Sequence, residues 1–452
     1  MPEVTVLLDD LPLSFPVSPF LEGDTTMVPL RALSESLGFT VIYTSDKDPI
    51  NCSSGSTTIA LKLGDSEVSV NGKKSLVQQP PHLSGDTTVV PLRFFGETLG
   101  CKVTWDESSR TANVRSPKPA MEVWGFYALG SPDYSSWEDL FGQKYPFPLS
   151  LVPSSPAARI TGAILGWFTV DSRGNVSQSG DPSGYFRPAG WEAVMMHLQA
   201  DGCKAVAMFF ADNQGGKLSA LLANPGLRET LAVTVAGVSW GYNGVAIDFE
   251  GLGADESTRQ KDATNLTAFF ESLKRYSPGR PLFAVVPPLN GNFLGYGHEE
   301  LGKLSDAVIV MAYGYEDPAN PSATAPWAKV EEAIRLELKA VPKDKVILGV
   351  PAYGTLYAAA GGAVSALTRP AARDAVVPEG VTAEFSPESI SESSAWEGEG
   401  SSFQAFLESN RSLQARVSLA KRHGLRGVAV WRLGLLRQGW WDSVLEAVDP
   451  KR

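Results

Sequence analysis

Residues 244 to 251 read GVAIDFEG, an apolar run that closes on two carboxylates. In an extended segment side chains alternate between faces, so Gly244, Ala246, Asp248 and Glu250 share one side and Val245, Ile247 and Phe249 the other. Both acids then point the same way, with Cα atoms about 7 Å apart. At an effective dielectric near 20, like charges at about that distance repel by about 2.4 kcal/mol, or roughly two pKa units. One of the pair is therefore expected to keep its proton near neutral pH, as a general acid must. Two other readings start from the same residues: a Mg²⁺ site for a phosphate substrate, for which no third carboxylate stands at matching spacing, and a solvated loop start. His82, His197, His298 and His423 make no HExxH or similar set, and Cys52, Cys101 and Cys203 have no CxxC spacing. Neither a metal nor another cofactor is expected. Cys52 and Cys101 pair only in an oxidising compartment, and otherwise stay free thiols.

A buried strand that ends in acid needs neighbours to bury it. The chain of 452 residues, 43% hydrophobic, has apolar content for two or three domains. A net charge of −11 and a pI near 5.1 argue against nucleic acid or an anionic membrane as partner and leave neutral ligands open. No apolar run reaches the roughly 18 residues of a membrane span. The opening MPEVTVLLDDLPLSF lacks a basic segment followed by an apolar one, so no export signal is expected in this chain.

After the linker-like RSPKPA, eight apolar runs alternate with helical stretches: 122–127, 163–168, 204–210, 244–250, 282–287, 306–313, 346–351 and 427–431. Between them TNLTAFFESLKRY sets Leu266, Phe269, Phe270 and Leu273 on one helical face. Eight buried strands with crossover helices predict an α/β fold, a (β/α)8 TIM barrel over 120–450. The alternative, a doubly wound sheet, lacks a glycine-rich phosphate loop after its first strand. In a barrel Asp248 and Glu250 stand at the carboxyl end of the fourth strand, where such enzymes keep their chemistry. The same alternation puts Met311 and Tyr313 on one face of strand six, and Ala429 and Trp431 on one face of strand eight. Phe126, Tyr127 and Trp167, near the ends of strands one and two, either line a groove or fill the core. The acidic stretch SPESISESSAWEGEGSS at 386–402 is expected to be a solvated insertion bordering the cleft.

The first part of the chain is built differently. GDTTMVPLRALSESLG at 23–38 returns as GDTTVVPLRFFGETLG at 85–100, and the flanks VTVLLDD and VIYTSDKD return as EVSVNGK and VTWDESSR. Each copy predicts strands around one short helix, with Leu30, Leu33 and Leu37, or Leu92, Phe95 and Leu99, on its packing face. No polar set converges there. A smaller α+β domain of two repeats over 1–115 is expected to precede the barrel.

The paired VPLR…LG units resemble the copper amine oxidase N-terminal-like domain, a module of bacterial surface proteins, which implies a stalk, spacer or wall-associating role. Copper is not implied, because only His82 lies in this region. Together NGVAIDFEG, VIVMAYGY, ILGVPAYG and RGVAVWRLG resemble the family 18 glycoside hydrolases, in particular the bacterial spore-cortex N-acetylglucosaminidases and chitinases. The resemblance implies hydrolysis of β-1,4-linked N-acetylglucosamine polymers, peptidoglycan or chitin, with the substrate's own 2-acetamido oxygen as nucleophile. On the family motif DGxDxDxE, Glu250 matches the catalytic acid and Asp248 the carboxylate that orients the acetamide, while Tyr313 matches the tyrosine of MxYD. Trp431 matches the floor of the sugar subsite, and Tyr353 and Tyr127 complete the expected substrate-binding set. An extracellular, cell-surface or spore-surface location follows from the resemblance. The sequence departs from the motifs at three positions: Asn243 and Ala246 stand for the first and middle Asp of strand four, and Gly314 for the Asp of MxYD. A sugar-binding barrel without turnover is the rival reading.

Overall fold

Parallel strands covered on both faces read as unbroken apolar runs, and all eight such runs become strands of one closed barrel. The computed structural model describes residues 4–44, 48–54, 57–129, 135–144, 155–179, 184–360, 363–370, 376–398, 400–436 and 439–451. The chain divides into two compact units, Met1–Pro119 with Arg422–Gly424, and Ala120–Lys421 with Leu425–Arg452.

In the second unit the barrel strands are β1 (Ala120–Ala128), β2 (Gly162–Val170), β3 (Lys204–Asp212), β4 (Gly244–Glu250), β5 (Leu282–Val286), β6 (Ala307–Val310), β7 (Val346–Pro351) and β8 (Gly427–Trp431). Each pairs in parallel with the next, and β8 pairs with β1, which pairs with β2, so no edge is left. Alternation decides what fills the interior. Trp124, Phe126, Met208, Ala246, Phe283 and Ala429 belong to one buried cluster inside the barrel. Residues of the other parity pack outward, as Phe249 does in stacking on Phe269 of the helix Arg259–Tyr276 at 5.4 Å.

After β7 the chain leaves the barrel to form a five-stranded antiparallel sheet, in the order 363–370, 353–360, 401–407, 391–398, 384–386. The acidic stretch expected as a solvated insertion, 386–402, holds one of these strands, Ser391–Gly398, and the first two residues of another, Ser401–Leu407. Within Ser391–Gly398 only Ser391 and Ser394 are buried, three residues apart, while Ala405 and Leu407, beyond the acidic stretch, join a small apolar cluster. Arg416 ties this sheet to the helix Asn410–Arg422. Its guanidinium donates to Glu408 at 2.6 and 3.0 Å and to the carbonyls of Ala325 and Ile390 at 2.5 and 3.1 Å.

In the first unit the repeat has a structural counterpart. Strands Thr25–Pro29 and Thr87–Pro91 pair antiparallel with Val28 opposite Val90, its own equivalent in the other copy. Each strand runs into a helix, Leu30–Ser36 or Leu92–Thr98, whose Leu30 and Leu33, or Leu92 and Phe95, are buried in one apolar cluster. Cys52 and Cys101 lie in that cluster, and neither they nor Cys203 form a disulfide.

Candidate active site

Glu250 is the last residue of β4, and Asp248 lies two residues earlier. Both carry the inward parity of Ala246, which is in the barrel interior. Asp248 is 1% exposed and its Oδ1 has no hydrogen-bond partner. Burial, and then the neighbouring Glu250 charge, hold the Asp248 carboxyl well above its ordinary range. Glu250 is half-buried, and burial followed by the charge of Asp212 raises it too. The two carboxyls therefore titrate as a pair that retains a proton at pH values where an isolated carboxyl would be ionised.

The turn that leaves β4 is fastened from behind. Tyr296 donates its hydroxyl hydrogen to the Phe249 carbonyl at 2.7 Å, and Asp262 accepts from the Gly253 N–H at 3.0 Å. Gly253, at φ +67°, lies against Gly295 so closely that a Cβ would fall 2.2 Å from the Gly295 nitrogen. Only glycine fits that approach.

Tyr313 comes to the barrel mouth by a route that alternation did not predict. β6 ends at Val310, and the Ala312 and Tyr313 N–H groups donate to the Val310 and Met311 carbonyls at 2.9 and 2.8 Å, two tight three-residue turns in succession. Met311 still packs on the interior cluster. Burial, then Tyr353, Asp248 and Glu250, push the Tyr313 phenol far above its ordinary range, so it is a neutral donor facing the acid pair. Its ring meets Tyr353 edge-on at 6.2 Å, and the Tyr353 hydroxyl accepts from Thr324 at 3.1 Å. At the next position Gly314 has φ +82°, in the left-handed region that glycine adopts freely.

Trp431 ends β8 half-buried, edge-on to Phe126 at 5.2 Å, and the peptide joining it to Arg432 is cis. Phe126 faces inward, so Tyr127 faces out. It is buried with its ring edge-on to Trp167 at 5.6 Å, on the helix side of the barrel and apart from the acids. The structure brings Glu250, Asp248, Tyr313, Tyr353 and Trp431 to the strand ends and leaves Tyr127 in the outer packing.

Two residues here were missed in the sequence. Tyr185, in the segment before the helix Trp191–Ala200, stacks on Phe210 at 4.0 Å and 8° and lies 6.1 Å from Trp431, and its phenol feels the charges of Asp248 and Glu250. It sits in a region without periodicity, so nothing in its neighbourhood points to a site. Asp212 is the register partner of Glu250 on β3. The apolar run on strand three stops at Phe210, and the strand itself runs two residues further. Among the described residues no group of three or more His, Cys, Asp or Glu is arranged to hold a metal ion. In the first unit His82, its Nδ1 3.1 Å from the Pro80 carbonyl, has one carboxylate near its other nitrogen, Glu22 Oε2 at 3.6 Å, and the described residues bring no third ligand, a set that does not fit copper.

Known proteins resemble both parts of the chain. The profile of the copper amine oxidase N-terminal domain matches residues 7–114, and that of the glycosyl hydrolases family 18 matches residues 134–435. A cortical fragment-lytic enzyme of Bacillus subtilis (strain 168) is 29% identical over 148 residues, 31% of this chain and 34% of that one. Chitinase 1 of Aphanocladium album is 26% identical over 309 residues, 59% of this chain and 70% of that one. The chain spans about half or less of the first curated relatives it matches, 53% and 34%. In structure it is similar to the spore cortex-lytic enzyme SleL of Bacillus megaterium, with a TM-score of 0.61 at 17% identity, over 81% of this chain and 89% of that one. This last likeness is one of fold.

Proposed function

Since the chain belongs to the glycosyl hydrolases of family 18, we propose that its barrel cleaves β-1,4-linked N-acetylglucosamine polymers, peptidoglycan or chitin, with retention of configuration. The observation that carries the reading is the buried acid pair at the end of β4, which keeps a proton beside a neutral tyrosine. Glu250, at the mouth, protonates the departing glycosidic oxygen and then takes a proton from water. The substrate's acetamido oxygen attacks the anomeric carbon in the family's manner, so no glycosyl ester forms on the protein. With the pair's proton on Glu250, the Asp248 carboxylate stabilises the positive bicyclic intermediate as it develops, and its unpartnered Oδ1 accepts from the acetamide N–H. Tyr313 donates to the acetamide oxygen, and Trp431 lies under the sugar face. Tyr353 braces Tyr313 from the side.

The cortex-lytic and chitinase names of the relatives support the two polymers alike. The repeat unit is read as a wall-associating module and the protein as acting outside the cell or at the spore surface. No described helix is long and apolar enough to cross a membrane.

The test is to incubate the protein with chitooligosaccharides and with peptidoglycan and to follow new reducing ends. Glu250→Gln removes the proton and keeps the shape, so turnover falls by roughly 10²–10⁴ while oligosaccharide binding survives. Binding without turnover by the unaltered protein, on either polymer, would replace this reading with that of a sugar-binding barrel.

A further inference from the structure

We propose that Asp212 is a positioning residue for this chemistry: its carboxylate, beside Glu250 on the neighbouring strand, keeps the proton on Glu250 in the free protein. The inference rests on the family 18 reading for the role of Glu250.

Geometry places the two acids together. β3 and β4 run in parallel, with Phe210 opposite Asp248 and Asp212 opposite Glu250. Neighbouring strands lie about 4.8 Å apart, and the side chains of register partners leave the sheet on the same face. Met208 and Phe210, four and two residues before Asp212, belong to the barrel interior, so Asp212 has the inward parity and emerges at the mouth.

The two acids differ in surroundings. Asp212 is exposed, on the rim of a hollow of ≈ 290 Å³ that it shares with Thr169, Asp171, Gln214 and Lys217. Its Oδ1 accepts from the Gln214 N–H at 2.8 Å. Glu250, by contrast, is half-buried. The negative charge of Asp212 adds to burial in raising Glu250.

Asp248 faces Glu250 from its own strand, and the phenols of Tyr296, Tyr185 and Tyr313 feel the Glu250 charge from three other segments. The phenols are neutral and cannot repel, and Arg432 acts beside Tyr185 in the opposite sense. Below Asp248 the inward residue is Ala246, so β4 offers no third acid. A negative charge from a second strand comes from Asp212.

The experiment compares kcat/KM against pH on a soluble chitooligosaccharide for the unaltered protein, Asp212→Asn and Asp212→Glu. The basic limb reports loss of the proton that the Asp248–Glu250 pair holds in the free protein. Neutralising Asp212 makes that proton leave more easily, so the limb moves to lower pH, by about 0.5–1 unit, and Asp212→Glu moves it back. One pH unit above the original limb, the Asn variant is roughly three- to tenfold slower. A ¹³C-carboxyl titration of Glu250, assigned with Glu250→Gln, reads the same shift without substrate. A limb and a titration that both stay in place in Asp212→Asn would overturn the inference, even with the Glu250 dependence of turnover intact. A shifted titration in a protein that cuts neither polymer would sustain the inference and remove the proposed activity instead.

Discussion

Two buried aspartates, one in each unit, show how a fold can use a carboxylate. Asp9, in the repeat unit, is 4% exposed, and Ser116 supplies both its oxygens, the N–H to Oδ1 at 2.9 Å and the hydroxyl to Oδ2 at 2.6 Å. Asp248, in the barrel, is 1% exposed with Oδ1 unpartnered. Burying a charge is costly unless its hydrogen bonds are replaced. Asp9 meets that condition within its own unit and serves as a fastening. Asp248 does not meet it, and it stands two residues before Glu250 at the end of β4, where the Tyr313 phenol feels both charges. An orphaned oxygen alone does not mark a site: Glu337 Oε1 is orphaned too, but its other oxygen lies 2.8 Å from His298 Nδ1, enclosed between two helices. What distinguishes Asp248 is an unmet bond at an open strand end.

The largest expected effect breaks or keeps this comparison directly. Asp248→Asn lowers turnover by roughly 10²–10⁴, because the developing positive charge loses its counter-charge. The same change leaves stability equal or higher, since a neutral amide escapes the desolvation that raises the acid. Asp9→Ala does the reverse. It leaves turnover on soluble oligosaccharides in place and costs about 1–3 kcal/mol of stability by stranding the Ser116 donors. Kinetics and urea unfolding of the two variants check both halves, and an Asp248→Asn variant that unfolds early yet still turns over would place Asp248 with Asp9.

A smaller effect sharpens the aromatic side of the site. Trp431→Ala removes the apolar floor and raises KM roughly tenfold. Tyr127→Phe, on the outer face, leaves KM within about twofold. Equal losses in calorimetric oligosaccharide binding would bring Tyr127 back to the groove.

Much of this arrangement was legible because period-two patterning survives burial. The barrel strands, the inward parity of Asp248, Glu250 and Trp431, and the repeat in the first unit all follow from short-range pattern. Alternation failed where the backbone stops being a strand. Tyr313 reaches the mouth through two turns after β6, and no side-chain period encodes that. Tyr127 was drawn toward the groove by its closeness to a strand end, although its neighbour Phe126 already claims the inward face. Asp212 escaped because its importance lies in registry with another strand, which one sequence does not display. The insertion sheet escaped because Ser and Glu fill its strand Ser391–Gly398, whose buried residues, Ser391 and Ser394, keep no period of two.

A third carboxyl lies between the two aspartates of the comparison and gives the finest test of it. Asp139 accepts from the Gly434 and Leu436 N–H groups at 2.5 and 3.2 Å, and so pins the chain that follows Trp431 and β8. By that count it resembles Asp9. Burial nevertheless outweighs the two donors and pushes it up to about 6 from an ordinary 3.8. An acid with a folded pKa above its unfolded one binds its proton more tightly in the native state, so stability is present at low pH and falls as pH rises from about 4 to about 6. The full shift corresponds to about 3 kcal/mol, and partial hydration of the group reduces this to about 1–2 kcal/mol. Asp139→Asn keeps an oxygen for both N–H groups and carries no charge. The Asn variant is therefore expected to match the unaltered protein near pH 4, to exceed it by about 1–2 kcal/mol at pH 8, and to show a flatter slope between, as read by urea unfolding at each pH. If the unaltered protein proves the more stable at pH 8, the two backbone donors outweigh burial. Asp139 would then be a fastening like Asp9, and a filled hydrogen-bond shell would suffice to separate the structural carboxylates of this chain from Asp248.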